Sequence, residues 1–108
     1  MSKNSMKVVL ESPLSGNVKR NTEYLILCMR DCFEKKEYPF ASHMLYTQCL
    51  NDDIKKERDL GIKAGLEWGK GAEKTVVYID FGISKGMEFG IKDAVKNNRR
   101  IEYRRLNT

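Results

Sequence analysis

Short apolar runs alternate with longer stretches of helical period along this chain. Residues 7–11, KVVLE, read as a strand that runs into turn chemistry, SPLSGN. Tyr24, Cys28 and Cys32 then recur at every fourth position, with Leu25, Met29 and Phe33 in the adjacent row. That spacing predicts a helix with one wide apolar face, capped by Asn21 or Thr22. It should stop at EKKEYP, because Pro39 biases the residue before it away from helix. Residues 39–42 read as a second strand, and HMLYTQCLNDD as a loop with high aromatic and amide content. A second helix is expected from Asp52 or Asp53 through IKKERDLGIKAGLEWGKG. TVVYID, residues 75–80, is the clearest strand, and its unbroken apolar run predicts burial on both faces. A third helix is expected over residues 84–97 with Ser84 as N-cap, then a last strand in RRIEYRRL with Ile101 and Tyr103 on one face.

Strands that alternate with helices predict the α/β class, with a mostly parallel, doubly wound sheet of about four strands. The expected organisation is a loose leader over residues 1–6 and a single domain over residues 7–108.

Three glycines change the picture of the second helix. Gly61, Gly65 and Gly69 share one face, and each costs roughly 1 kcal/mol in a helix relative to Ala. Something must approach that backbone closely, either the sheet of the same domain or a partner helix across an oligomer interface.

Composition narrows the class. Of the 108 residues, 41% are hydrophobic and 32% charged, which fits a folded globular chain. No apolar run approaches a membrane span, and the polar start MSKNSMK is unlike a signal peptide, so a cytoplasmic setting is expected. Three cysteines without a CxxC pair predict free thiols, buried or half-buried. The net charge is +5, with Lys96, Arg99, Arg100, Arg104 and Arg105 clustered near the C-terminus. Such a cluster suits a polyanion, so nucleic acid is one alternative partner; a solvated face is the plainer reading.

Ligands of an open parallel sheet bind beyond the C-terminal strand ends. Here that means SPLSGN, SHMLYTQ and DFGISKGM. The first and third loops feed helix N-termini, whose free N–H groups favour anions. Candidate ligand-binding residues are therefore Ser12, Ser15, Gly16 and Asn17, with Ser84, Gly86 and Met87 opposite. His43, the single histidine, lies just past a strand end with Tyr46 and Gln48, an aromatic ring and an amide suited to a nucleobase. Asp80 ends the central strand, placed to bind a ribose hydroxyl or to satisfy backbone donors. Neither a Walker loop nor a GxGxxG is present. No metal-ligand set is legible, and no cofactor is expected.

Together SPLSGN, SHMLYTQ, ERDLGIKAGLEW and DFGISKGMEFGIKDA resemble the nucleoside 2-deoxyribosyltransferase-like superfamily, nearest to short phage and bacterial members, over residues 7–104. The resemblance implies a compact flavodoxin-like, Rossmann-like three-layer sandwich. It also implies enzymes that cleave or exchange the N-glycosidic bond of deoxynucleosides or their monophosphates. The superfamily's (D/S)xGTxxE motif aligns its Gly with Gly86, its Thr with Met87 and its nucleophilic Glu with Gly90. Glycine can form no glycosyl ester. Glu11 and Glu88 are the carboxylates left as weak catalytic candidates, and Glu88 points away from the face of Gly90.

The expectation is a nucleotide-binding protein that lacks the usual catalytic Glu, with sequestration of a nucleotide immune signal by a phage protein as one role. An active N-glycosidase or deoxyribosyltransferase with a relocated carboxylate is the second reading, and an interaction module using the basic C-terminus the third. The partner expected is a nucleotide or nucleotide-derived small molecule. A homo-oligomer, a dimer first, is expected from the thin sheet, the glycine face and the superfamily's use of subunit interfaces.

Overall fold

The computed structural model describes residues 6–107. The expected leader, residues 1–6, lies outside them except for Met6, which opens the first strand. The elements are β1 (Met6–Glu11), α1 (Val18–Glu34), β2 (Glu37–Phe40), α2 (Ser42–Leu45), α3 (Lys55–Gly69), β3 (Lys74–Tyr78), α4 (Lys85–Lys96) and β4 (Arg100–Arg104). A single 3₁₀ turn, Tyr46–Gln48, extends α2.

All strand pairs are parallel, in the order β2-β1-β3-β4. The first four strands of a flavodoxin-type sheet have this order. Paired residues share a face, so register assigns the layers. Val8, Leu10, Val76 and Tyr78 pack under α1 against Tyr24, Leu25, Cys28 and Cys32. Val9, Glu11 and Thr75 face the other way, toward α3 and α4. The result is a three-layer α/β sandwich. Its two helical layers follow from the chain leaving β1 for β2 in one direction and β3 for β4 in the other, with crossovers of one hand.

The predicted strands and helices are all present; several boundaries differ, and one expected loop is partly helical. Helix α1 starts earlier than expected, because Asn17 accepts from Arg20 N at 3.0 Å and is the cap. Asn21 is instead buried, and its apolar row ends early, with Phe33 exposed. Strand β2 starts at Glu37, ahead of Pro39, since an edge strand tolerates proline. The expected loop after it is α2 and its 3₁₀ turn. Ile54, rather than Asp52 or Asp53, stands at the N-cap of α3.

The glycine face of α3 is occupied within the chain. A Cβ on Gly65 would lie 2.7 Å from Ser42 Cβ, and one on Gly69 3.1 Å from Val9. Thus α2 and the sheet are the close neighbours. Trp68, on the same helix, is 67% exposed and leans on Phe40 with ring centroids 5.9 Å apart.

The basic C-terminus is not one surface. Arg99 is buried against Asp93 at 2.7 Å, and Arg104 is buried against Glu37 at 2.6 Å and also pairs with Glu102. Lys74 joins Glu37 at 2.8 Å. The Arg104 guanidinium lies over the Tyr78 ring, 5.7 Å from its centroid. Cys28 and Cys32 are buried, which pushes their thiols up to about 12 and about 11; Cys49 is exposed, contrary to expectation. Among the described residues, no helix is long and apolar enough to cross a membrane.

Candidate functional site

A cleft of about 630 Å³ opens at the C-terminal end of the sheet and runs down between α3 and α4. Its position is the switch point between β1 and β3, from which the chain leaves in opposite directions. Three segments build it. Ser12 and Ser15 come from the β1 loop, His43 and Tyr46 from α2 and its turn, and Ser84, Gly86 and Met87 from the start of α4.

Local chemistry holds each wall. Asn21 donates from Nδ2 to the carbonyls of Leu14 at 2.9 Å and Ser15 at 3.1 Å, which pins the first loop to α1. Gly16, at φ +95°, supplies the left-handed turn into that helix. Ser84 caps α4 by accepting from Met87 N at 3.3 Å, and the Met87 thioether accepts from Ser84 N. Tyr46 stands edge-on to Phe40, centroids 6.4 Å apart. It therefore packs and lines the cleft together.

His43 and Ser12 form a pair at the cleft, Ser12 Oγ to His43 Nε2 at 2.8 Å. Burial lowers the imidazole to about 4, so the ring is neutral at physiological pH. A neutral ring bonded to a hydroxyl through one nitrogen keeps the other for a ligand.

Glu11 lies deeper. It ends β1 on the α4 side, and its carboxyl packs directly on the Cα of Gly90. A Cβ at position 90 would overlap Oε2 and Cδ of Glu11. A carboxyl from β1 thus fills the space beside Gly90 of α4. Burial raises Glu11 to about 8; Arg99 lowers it in part, and Asp93 raises it further. Solvent still reaches the residue through the cleft, while protein surrounds the carboxyl on its other sides. Arg99 itself is held by Asp93, by Thr75 Oγ1 at 2.9 Å and by Gly69 O at 2.9 Å.

Four expected residues stand outside this cleft. Gly16 and Gln48 line a shallower groove on its flank, where Gln48 donates to Met44 O at 3.0 Å. Asn17 caps α1. Asp80 takes 2.6 Å and 2.9 Å bonds from Tyr24 Oη and Leu106 N, and another from Asn107 N at 3.1 Å. Burial works against its charge, but these bonds prevail and hold the carboxyl below its ordinary value. Of the two weak catalytic candidates, Glu11 lines the cleft; Glu88 points to solvent.

Asn21, Asp93 and Arg99 also shape the cleft, although their roles are not legible from spacing. Only Asn21 carries a signal, as a polar residue four before Leu25 on an apolar row.

A family model for a domain of unknown function, DUF7768, matches residues 6–104. The chain belongs to the DUF7768 family. No curated protein and no solved structure matches it.

Proposed function

We propose that this DUF7768 protein binds a nucleoside or nucleotide in the cleft between α3 and α4. The observation that carries this reading is the convergence of Ser12, Ser15, His43, Tyr46, Ser84, Gly86 and Met87, from three separate segments, on one cavity at the β1/β3 switch point. Hydroxyls and a neutral imidazole suit sugar hydroxyls and base edges, and the aromatic edge suits a base face. The volume lies within the range of about 300–1,000 Å³ usual for small-molecule sites. The resemblance to deoxyribosyltransferase-like proteins supports the same class of ligand. Sequestration of a nucleotide signal needs binding alone. The test is calorimetry with common nucleosides and their monophosphates, beside mass spectrometry of anything released from the purified protein. Binding of none of them at millimolar concentration would sink the reading.

A second reading rests on Glu11 against Gly90. In a glycosidic cleavage, a Glu11 oxygen bonds to the anomeric carbon as the base leaves with the bonding pair and takes up a proton; water then frees the sugar. Such chemistry needs the ionised carboxyl, so activity would climb toward pH 8. Release of free base from deoxynucleosides, absent in Glu11→Gln, is the measurement that separates catalysis from binding.

A further inference from the structure

The carboxyl of Glu11 is at the floor of the cleft, yet no described residue donates a hydrogen bond to it. Its oxygens are therefore open to the cavity, since no fully buried side-chain oxygen or nitrogen among the described residues is left without a partner. The groups nearby bond elsewhere. Helix α4 and the turn after it bring Asp93 and Arg99, which hold each other at 2.7 Å. Helix α2 brings His43, which is bonded to Ser12. Where α3 meets the floor it offers Gly65, Leu66 and Gly69, without a side-chain donor. What the floor lacks is a donor, and the open side faces the cavity.

We propose that Glu11 anchors the ligand by accepting a hydrogen bond from an uncharged hydroxyl or amino group of a nucleoside. This rests on the nucleoside-binding reading and adds the contact that orients the ligand. Gly90 is the enabling residue, since any side chain there would take the volume of the carboxyl. The anchored group should be uncharged or cationic; a phosphate at the floor would meet a carboxyl whose neighbouring cation, Arg99, is already paired with Asp93. A donor favours the ionised carboxyl, so binding draws the group below its free value of about 8 and releases a proton. Affinity therefore rises from pH 6 to pH 9.

The experiment is calorimetry with adenosine, its 2′-deoxy and 3′-deoxy analogues and purine riboside, on wild type, Glu11→Gln and Glu11→Ala. Folding of each variant is checked by thermal melting. Glu11→Ala should weaken binding of the best nucleoside at least tenfold. Glu11→Gln, which keeps an acceptor but cannot ionise, should bind with no dependence on pH beyond that of His43. The analogue that binds wild type no better than Glu11→Ala lacks the anchored group: a sugar hydroxyl if it is a deoxy form, the base amino group if it is purine riboside. Nucleosides that bind wild type and folded Glu11→Ala equally well overturn the anchor and leave the nucleoside reading standing. So does an unchanged pH profile in Glu11→Gln. Failure of every nucleoside and monophosphate to bind wild type overturns both.

Discussion

The carboxyl of Glu11 occupies the space in which a side chain at Gly90 would begin. Glu11 and Gly90 are 79 positions apart in the chain, yet each dictates what the other can be. A methyl at position 90 and the present Glu11 rotamer exclude one another. Gly90→Ala should therefore displace Glu11, with a net loss of about 1–3 kcal/mol as for other overpacked sites. Shortening Glu11 to Ala in the same chain removes the clash, so the double variant should recover stability. A double-mutant cycle in urea gives the coupling. Additive effects would mean that the two residues do not compete for space.

Glu11 and His43 impose opposite pH slopes on stability. Glu11 is raised from 4.5 to about 8, so its contribution is fully present below pH 4.5 and is lost as pH rises through about 8. His43 is lowered from 6.5 to about 4, so its contribution is present above pH 6.5 and is lost as pH falls toward 4. The two oppose between about pH 4.5 and 6.5; above that Glu11 acts alone. The melting temperature of the free protein should fall from pH 6.5 to pH 8.5 and stay flat in Glu11→Gln. A matching fall in the variant would assign the slope elsewhere.

Glu37 joins Lys74 and Arg104 under a cover of side chains, with its own side chain 5% exposed. Burial works against its charge, but the two cations prevail and hold it at about 2. Its contribution is present above the ordinary value of 4.5 and is lost as pH falls toward 2. Removing one partner of a buried pair costs about 3–5 kcal/mol. Glu37→Ala should fall at the lower end, because Glu102 still pairs with both cations. Chemical denaturation measures this, and a loss under about 1 kcal/mol would show the network to be dispensable.

Two glycines of α3 should answer alanine differently. At Gly61 a Cβ would meet Leu50 at 3.4 Å, an ordinary contact. Gly61→Ala should leave stability unchanged or raise it by up to about 1 kcal/mol through helix propensity. At Gly65 the same change drives into Ser42, and overpacking should outweigh propensity by about 1–2 kcal/mol. Equal melting temperatures for the two variants would count against α2 as the tight neighbour.

Periodicity carries much of this architecture. The apolar run before SPLSGN, the fourfold spacing of Tyr24, Cys28 and Cys32, and TVVYID each specify an element from its own residues. Ser84 as a cap is legible for the same reason: its partner Met87 is three positions away. Legibility stops where a residue answers to a distant one. Asn21 has a good capping side chain, but the carbonyls of Leu14 and Ser15 claim it. The residues of SHMLYTQ coil into α2 because Ser42 packs on Gly65 and Tyr46 on Phe40, contacts that no local pattern announces.

Chain order and hydrophobic rhythm were enough for the α/β class, the alternation of elements and the loops that end up at the cleft. They reflect interactions within a few residues, which the sequence displays directly. The charge state of Glu11, the sacrifice of Arg99 and Arg104 to buried ion pairs and the occupation of the glycine face depend on tertiary contacts. Each arises from desolvation and close packing between segments far apart in the chain. Gly90 belongs to both levels: its lack of a side chain is plain in the sequence, and the carboxyl that fills its place is set by how β1 and α4 meet.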